Sequence, residues 1–261
     1  MVDAPYPVRV VRVEVGTFHF MTITQDWQEF AVNLSNVLEL EAPPIAITFS
    51  EAPPVGVEAF DAPFPEPLPD GRTGRVPAGC AFWIESAEKT FSTIAEDHGN
   101  CSVGSVVIGF KNFDEVLGNS DVAAMLETGW VTADVVPQIP VITEKPGAVT
   151  YGPLTETPFD PDVVLIRVNG EQLMLLNDAL PDMRLAGKPQ CHIVALAKEQ
   201  GVIAASLGCA LSRVRSGMSA EEMTCAIPAA RLGEVLAALI TTAGADGQVA
   251  SYAGEDALRF S

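Results

Sequence analysis

Lys188-Pro189-Gln190-Cys191-His192-Ile193-Val194-Ala195-Leu196-Ala197-Lys198, with its sequel Ala205-Ser206-Leu207-Gly208-Cys209-Ala210, is the stretch from which the fold can be read. A cysteine opens an apolar-periodic run, a glycine breaks it, an apolar strand follows, and Gly208-Cys209 closes the unit. The same grammar stands earlier in the chain. Pro77-Ala78-Gly79-Cys80-Ala81-Phe82-Trp83-Ile84 opens a run that passes through Phe91-Ser92-Thr93-Ile94-Ala95 to Gly99-Asn100-Cys101-Ser102-Val103-Gly104. The chain therefore reads as two related halves, each offering two cysteines.

Outward from these units, strands and helices interleave without a regular βα period. The expected class is α+β (mixed α/β), internally duplicated, with two similar halves and a pseudo-twofold axis. Residues 1–21 read as a Val-rich extended extension. The first half, 22–129, opens with a helix from Trp27, with Thr22 and Thr24 as N-cap candidates and Met21 as a plausible start of the chain. Ala42-Pro43-Pro44 stops that helix before the buried-strand pattern Ile45–Phe49. A loop over 51–78 carries seven prolines and reads as a lid or an insertion. The Pro-punctuated segment 130–161 connects the halves, with strands expected at Val131–Val136 and Val141–Thr143. The second half, 162–243, begins with the strongest strand pattern, Asp162–Val168, and ends in a helix over Ala229–Thr242. The Gly-containing tail 244–261 reads as loosely ordered.

With 15 Lys+Arg against 34 Asp+Glu, the formal net charge is −19. Such an excess repels phosphate backbones and anionic bilayers, so neither nucleic acid nor membrane is an expected partner. No run approaches eighteen apolar residues, and no export-signal pattern opens the chain, so the expected location is cytoplasmic. Five cysteines in a reducing compartment point to buried thiols, metal ligands or a reactive cysteine rather than a disulfide framework. Neither G-x-G-x-x-G nor a phosphate-binding G-x-x-x-x-G-K-[ST] occurs.

Several segments in order resemble the uncharacterised domain-of-unknown-function family 169, the archaeal conserved region family. They are the Trp27–Leu40 helix running into Pro43-Pro44-Ile45-Ala46-Ile47, the Cys80-Ala81-Phe82-Trp83 start and the Asn100-Cys101-Ser102-Val103-Gly104 turn. In the second half they are Cys191, Gly208-Cys209 with Arg213 and Gly217, and Glu221-Glu222-Met223 before Ile227-Pro228. The resemblance spans roughly 24–240 and implies a soluble prokaryotic protein with recurrent cysteines, without a reaction. Cys225 is not counted among the family's features.

The cysteines admit three chemistries. The first is an iron–sulfur cluster held by Cys80, Cys101, Cys191 and Cys209, with a redox or Lewis-acid role on a small molecule. Cys80 and Cys191 each follow a turn and open a helix, whose N-terminal amides and dipole stabilise anionic sulfur. Cys101 and Cys209 read as strand-to-turn exits beside glycine. Zinc suits four thiolates equally well, and no compact C-x-x-C occurs. The second is a cysteine nucleophile, with His98 three residues before Cys101 and Asp97 to orient it. The third is a cluster-free small-molecule-binding protein with structural cysteines, in which Arg213 salt-bridges locally or holds a substrate carboxylate. The expected partners are a small-molecule ligand or a redox partner, and a homo-oligomer stays open.

Overall fold

The Val-rich run after Asp162 becomes an inner strand of the main sheet, buried on both faces. The computed structural model of the protein describes residues 10–15, 18–23, 26–61 and 78–259. Strands β1 (Val10–Val15) and β2 (Phe18–Ile23) pair with each other into a separate antiparallel sheet. There follow α1 (Trp27–Leu38), β3 (Ile45–Ser50), α2 (Gly79–Glu85), β4 (Phe91–Thr93), α3 (Ser102–Val107), α4 (Phe113–Val116) and α5 (Ser120–Glu127). Then come β5 (Ala148–Pro153), β6 (Val163–Val168), α6 (Gly170–Ala179), β7 (Arg184–Ala186) and α7 (His192–Gln200). The chain continues through β8 (Ala204–Ser206), α8 (Ala210–Arg215), β9 (Met223–Pro228) and α9 (Leu232–Arg259).

The main sheet has seven strands in the order β4-β5-β3-β6-β9-β8-β7. All neighbours run antiparallel except β7 and β8. The protein is thus a mixed α+β fold. Because successive side chains point to opposite faces, β6 feeds two cores. Val163 and Leu165 join Ile45, Ile47, Tyr151 and Ala226 on one face, packed under residues of α2, α3 and α7. Val164, Ile166 and Val168 join Ala46, Cys225 and Ile227 on the other, under α1, α6 and α9. Each fully buried aliphatic side chain contributes about 1.5–3 kcal/mol. A charge at Leu165, which is 0% exposed, would break the first core.

Two anchors fix the elements that matter below. The Asp162 carboxylate accepts from the Phe49 amide at 2.9 Å and from Lys198 Nζ at 2.8 Å, tying β3 and the entry to β6 to α7. Arg167 forks onto both oxygens of Glu222, joining β6 to the turn before β9.

Three sequence expectations change. The N-cap of α1 is Asp26, whose Oδ1 accepts from the Glu29 amide at 3.0 Å, because Thr22 lies inside β2 and Thr24 lies outside the described residues. No strand forms at 131–136 or 141–143, where Pro137 and Pro140 interrupt pairing; the segment's strand is β5, placed between β3 and β4. Asn169 caps α6, its side chain accepting from the Gln172 amide. Helix α9 continues past Thr242 to Arg259 through Gly244, Gly247 and Gly254. Of the loop 51–78, residues 62–77 lie outside the described residues, as do 1–9 of the N-terminal extension. Among the described residues no helix is long and apolar enough to cross a membrane.

Candidate functional site

Four short sequence patterns meet at one place. Cys80 is the second residue of α2, and Cys101, Cys191 and Cys209 are the N-cap residues of α3, α7 and α8. All four cysteines line a single cavity of about 40 Å³ on the α7 side of the sheet. Each is followed at i+3 by a second lining residue: Trp83, Gly104, Val194 and Ser212. That repeat follows from helix geometry, since residues three apart share a face. The floor is Tyr151 of β5, and Gln190 and Ser216 close the sides.

Cys191 and Cys209 are each 8% exposed, while Cys80 and Cys101 are half-buried. None of the five cysteines is in a disulfide. The four thiols sense one another. Burial pushes Cys80 up to about 12, opposed by a hydrogen bond with Ser216 and reinforced by Cys101 and Cys209. Burial also holds Cys191 well above its ordinary value, with Cys101, Cys209 and Cys80 adding to it. Cys225 stands apart in the opposite core, and burial alone raises it to about 12.

The backbone around the sulfurs is arranged for negative charge. The Gly104 amide donates to Cys101 Sγ at 3.3 Å. A Cβ on Gly104 would stand 3.1 Å from that sulfur, a tight contact that the sulfur would have to relieve by a shift of a few tenths of an ångström. The starts of α2, α7 and α8 receive no side-chain cap, but backbone carbonyls take up early amides: Ala78 accepts from Ala81 and Phe82, and Pro189, Gln190 and Cys191 accept from His192, Ile193 and Val194. At α3 one amide is already used, because Asp121 accepts from the Ser102 amide and hydroxyl at 3.0 and 2.7 Å. Among the described residues no basic side chain lines the cavity.

Further polar contacts set the walls. Cys80 Sγ and Ser216 Oγ are 2.8 Å apart. Gln190 donates to Met218 Sδ at 2.9 Å and accepts from the Ser212 hydroxyl at 3.2 Å. Tyr151 is buried beneath the thiols, and its hydroxyl is bonded to Thr93; burial raises it above the ordinary phenol range.

The remaining candidates lie elsewhere. His98 is not a solvated loop residue: it is 1% exposed, stacked edge-on against Phe82 with Phe110 nearby, and burial pulls it down to about 3. Its Nε2 lies 2.9 Å from Thr93 Oγ1. The Thr93 hydroxyl donates to the Val149 carbonyl, so Nε2 carries the proton and Nδ1 is left without a partner among the described residues. Asp97 does not orient the ring; its carboxylate caps the Ile94 amide at 2.8 Å. Arg213 donates to the carbonyls of Ser219, Leu207 and Glu222, stapling the segment that carries Cys209. A Cβ on Gly208, at φ +111, would strike that guanidinium. Ser212, Ser216, Gln190 and Tyr151 were not singled out from the sequence. The spacing Cys209, Ser212, Ser216, one helical face, is the signal that points to two of them.

Among the described residues, no group of three or more His, Cys, Asp or Glu side chains is arranged to hold a metal ion. The thiols surround a space rather than converge on one point. A family model for uncharacterised ArCR proteins, domain of unknown function 169, matches residues 33–238, and the chain belongs to that family. No curated protein and no solved structure matches the chain.

Proposed function

We propose that this member of the uncharacterised ArCR family holds an iron–sulfur cluster through Cys80, Cys101, Cys191 and Cys209 and serves as a one-electron carrier. One observation carries the reading: four thiols distant in sequence sit at four helix N-termini around one cavity. The donor set fits, since four cysteine thiolates are the usual ligands of such clusters. The Gly104 cradle around Cys101 fits as well. A single zinc ion needs sulfurs at about 2.3 Å from one centre, and no such convergence exists among the described residues. A cluster asks less, because each thiolate binds its own iron.

A bound cluster supplies one-electron oxidation and reduction. The chain supplies the rest. The dipoles of the helix starts favour negative charge on the sulfurs, and the Gly104 amide donates to Cys101 Sγ. Trp83, Ile108, Val194 and Leu211 wall off water. With four cysteines as ligands no coordination position is left for a substrate, so the carrier role fits better than a Lewis-acid role. The electron comes from a reduced one-electron carrier and leaves to an oxidised one. A cysteine nucleophile fits less well, because buried thiols stay protonated and His98 faces Thr93.

The proposal extends to ancestry and location. Apart from the edge strand β7, the sheet order divides into β4-β5-β3 and β6-β9-β8 about the β3–β6 pair, and one cysteine precedes and one follows each of the short strands β4 and β8. That arrangement supports duplication with a pseudo-twofold axis. Five cysteines outside any disulfide suit a reducing, cytoplasmic setting.

The test is anaerobic purification followed by visible absorption and assays of iron, zinc and acid-labile sulfide. The expected result is a brown protein with iron and sulfide in equal amounts. Changing any of Cys80, Cys101, Cys191 or Cys209 to Ser should deplete both, whereas Cys225→Ser should retain them. A wild-type protein that stays colourless after anaerobic reconstitution overturns the proposal in favour of structural thiols, and one that fills with zinc redirects it to a structural metal.

A further inference from the structure

We infer that Ser216 donates its hydroxyl hydrogen to the Cys80 sulfur and so raises the reduction potential of the cluster, an inference that rests on the cluster reading above. The two atoms are 2.8 Å apart, and Ser216 is 0% exposed. In a free thiol either atom can donate. A Cys80 sulfur bound to iron has no hydrogen left, so the hydroxyl must be the donor. Among the described residues the Ser216 hydroxyl has no competing acceptor.

The hydroxyl is also held in place. Ser216 is the C-cap of α8, the helix that Cys209 opens, and its amide bonds to the Ser212 carbonyl at 2.9 Å. Ser212 in turn bonds to the Cys209 carbonyl at 2.7 Å and to Gln190. One six-residue helix therefore offers a ligand at its start and, at its end, a hydrogen bond to a ligand from the other half of the chain. Reduction places one more electron on iron and sulfur, and a more negative sulfur is a stronger acceptor. The bond thus favours the reduced form, which is how hydrogen bonds to sulfur set cluster potentials.

The experiment is a dye-mediated redox titration, followed by electron paramagnetic resonance, of wild type, Ser216→Ala and Ser216→Thr, each with iron and sulfide assayed. The expected result is full cluster content in all three, with Ser216→Ala about tenfold poorer at holding the electron. For one electron that is a fall of about 59 mV. Ser216→Thr should stay at the wild-type value. An unchanged or raised potential in a fully loaded Ser216→Ala protein overturns the inference. Cluster loss in Ser216→Ala but not in Ser216→Thr also overturns it, leaving Ser216 a positioning residue for Cys80. If Ser216→Thr alone loses the cluster, Ser216→Ala still decides. Wild type without a cluster is a different failure, that of the functional reading itself.

Discussion

Replacing Gly104 with alanine should separate cluster binding from folding. The residue is the third of α3, and its backbone lies outside the left-handed region, so alanine is accepted there. In a helix alanine is favoured over glycine by about 1 kcal/mol. Against this, the new Cβ would stand 3.1 Å from Cys101 Sγ and 3.4 Å from its Cβ. Without a cluster the Cys101 side chain can turn about its single χ angle, at about 0.5–1.5 kcal/mol. The two effects nearly cancel, and the melting temperature of the apoprotein should stay within about 2–4 °C of wild type. With a cluster the sulfur is fixed by its iron and cannot turn away. Disturbing the support of a metal ligand typically weakens binding about 10–100-fold. Circular dichroism of the apoprotein, paired with the rate of iron loss to a chelator after reconstitution, reads both sides. An apoprotein melting near wild type with a cluster lost much faster is the expected pair. A cluster as long-lived as wild type would refute the placement of Cys101 as a ligand, and a collapse of apoprotein stability would show that Gly104 serves packing alone.

Acid should destabilise the protein through its buried histidines. His98 is pulled down to about 3, and the unfolded chain binds its proton near 6.5. Because the unfolded state then holds more protons, stability falls as pH drops below about 6.5, by about 1.4 kcal/mol per unit, until about pH 3. His192, lowered to about 4 by burial, acts in the same direction. His98→Gln should shrink the difference in urea stability between pH 7 and pH 5 by about 2 kcal/mol, and an unchanged difference would mean that His98 is not buried neutral. Arg213→Ala should cost about 1–3 kcal/mol by releasing the carbonyls of Leu207, Ser219 and Glu222. It should also open the 207–222 segment to limited proteolysis, and wild-type resistance there would rule out the staple.

What the sequence disclosed depended on how local each signal was. The β6 pattern was legible because Val163 to Ile166 is apolar on both faces and needs no partner to be recognised. Strand β5 was hidden, because Gly147, Gly152 and Pro153 punctuate it and its strand character comes from pairing with β3 and β4. The C-terminal part of α9 was hidden for the converse reason. Three glycines argue for a loose tail at about 1 kcal/mol each, yet the helix starts from a buried face, Leu232, Val235, Leu236 and Leu239, and continues outward.

The site divides in the same way. Cys80 and Cys191 could be placed at helix starts from a turn followed by an apolar period. Cys101 and Cys209 read as strand exits, since Val103, Val106 and Val107 are weak helix formers and α8 has only six residues. The structure makes both of them N-caps, as Cys191 is of α7, so three of the four cysteines occupy the same place on a helix. No spacing rule could supply Tyr151 or the Cys80 partner of Ser216, which exist as neighbours only once β5 lies beneath the thiols and α8 meets α2. A four-cysteine site without C-x-x-C is therefore built by topology. Each cysteine comes from a separate helix start, so perturbing the sheet that spaces those helices should affect the proposed cluster as surely as removing a thiol.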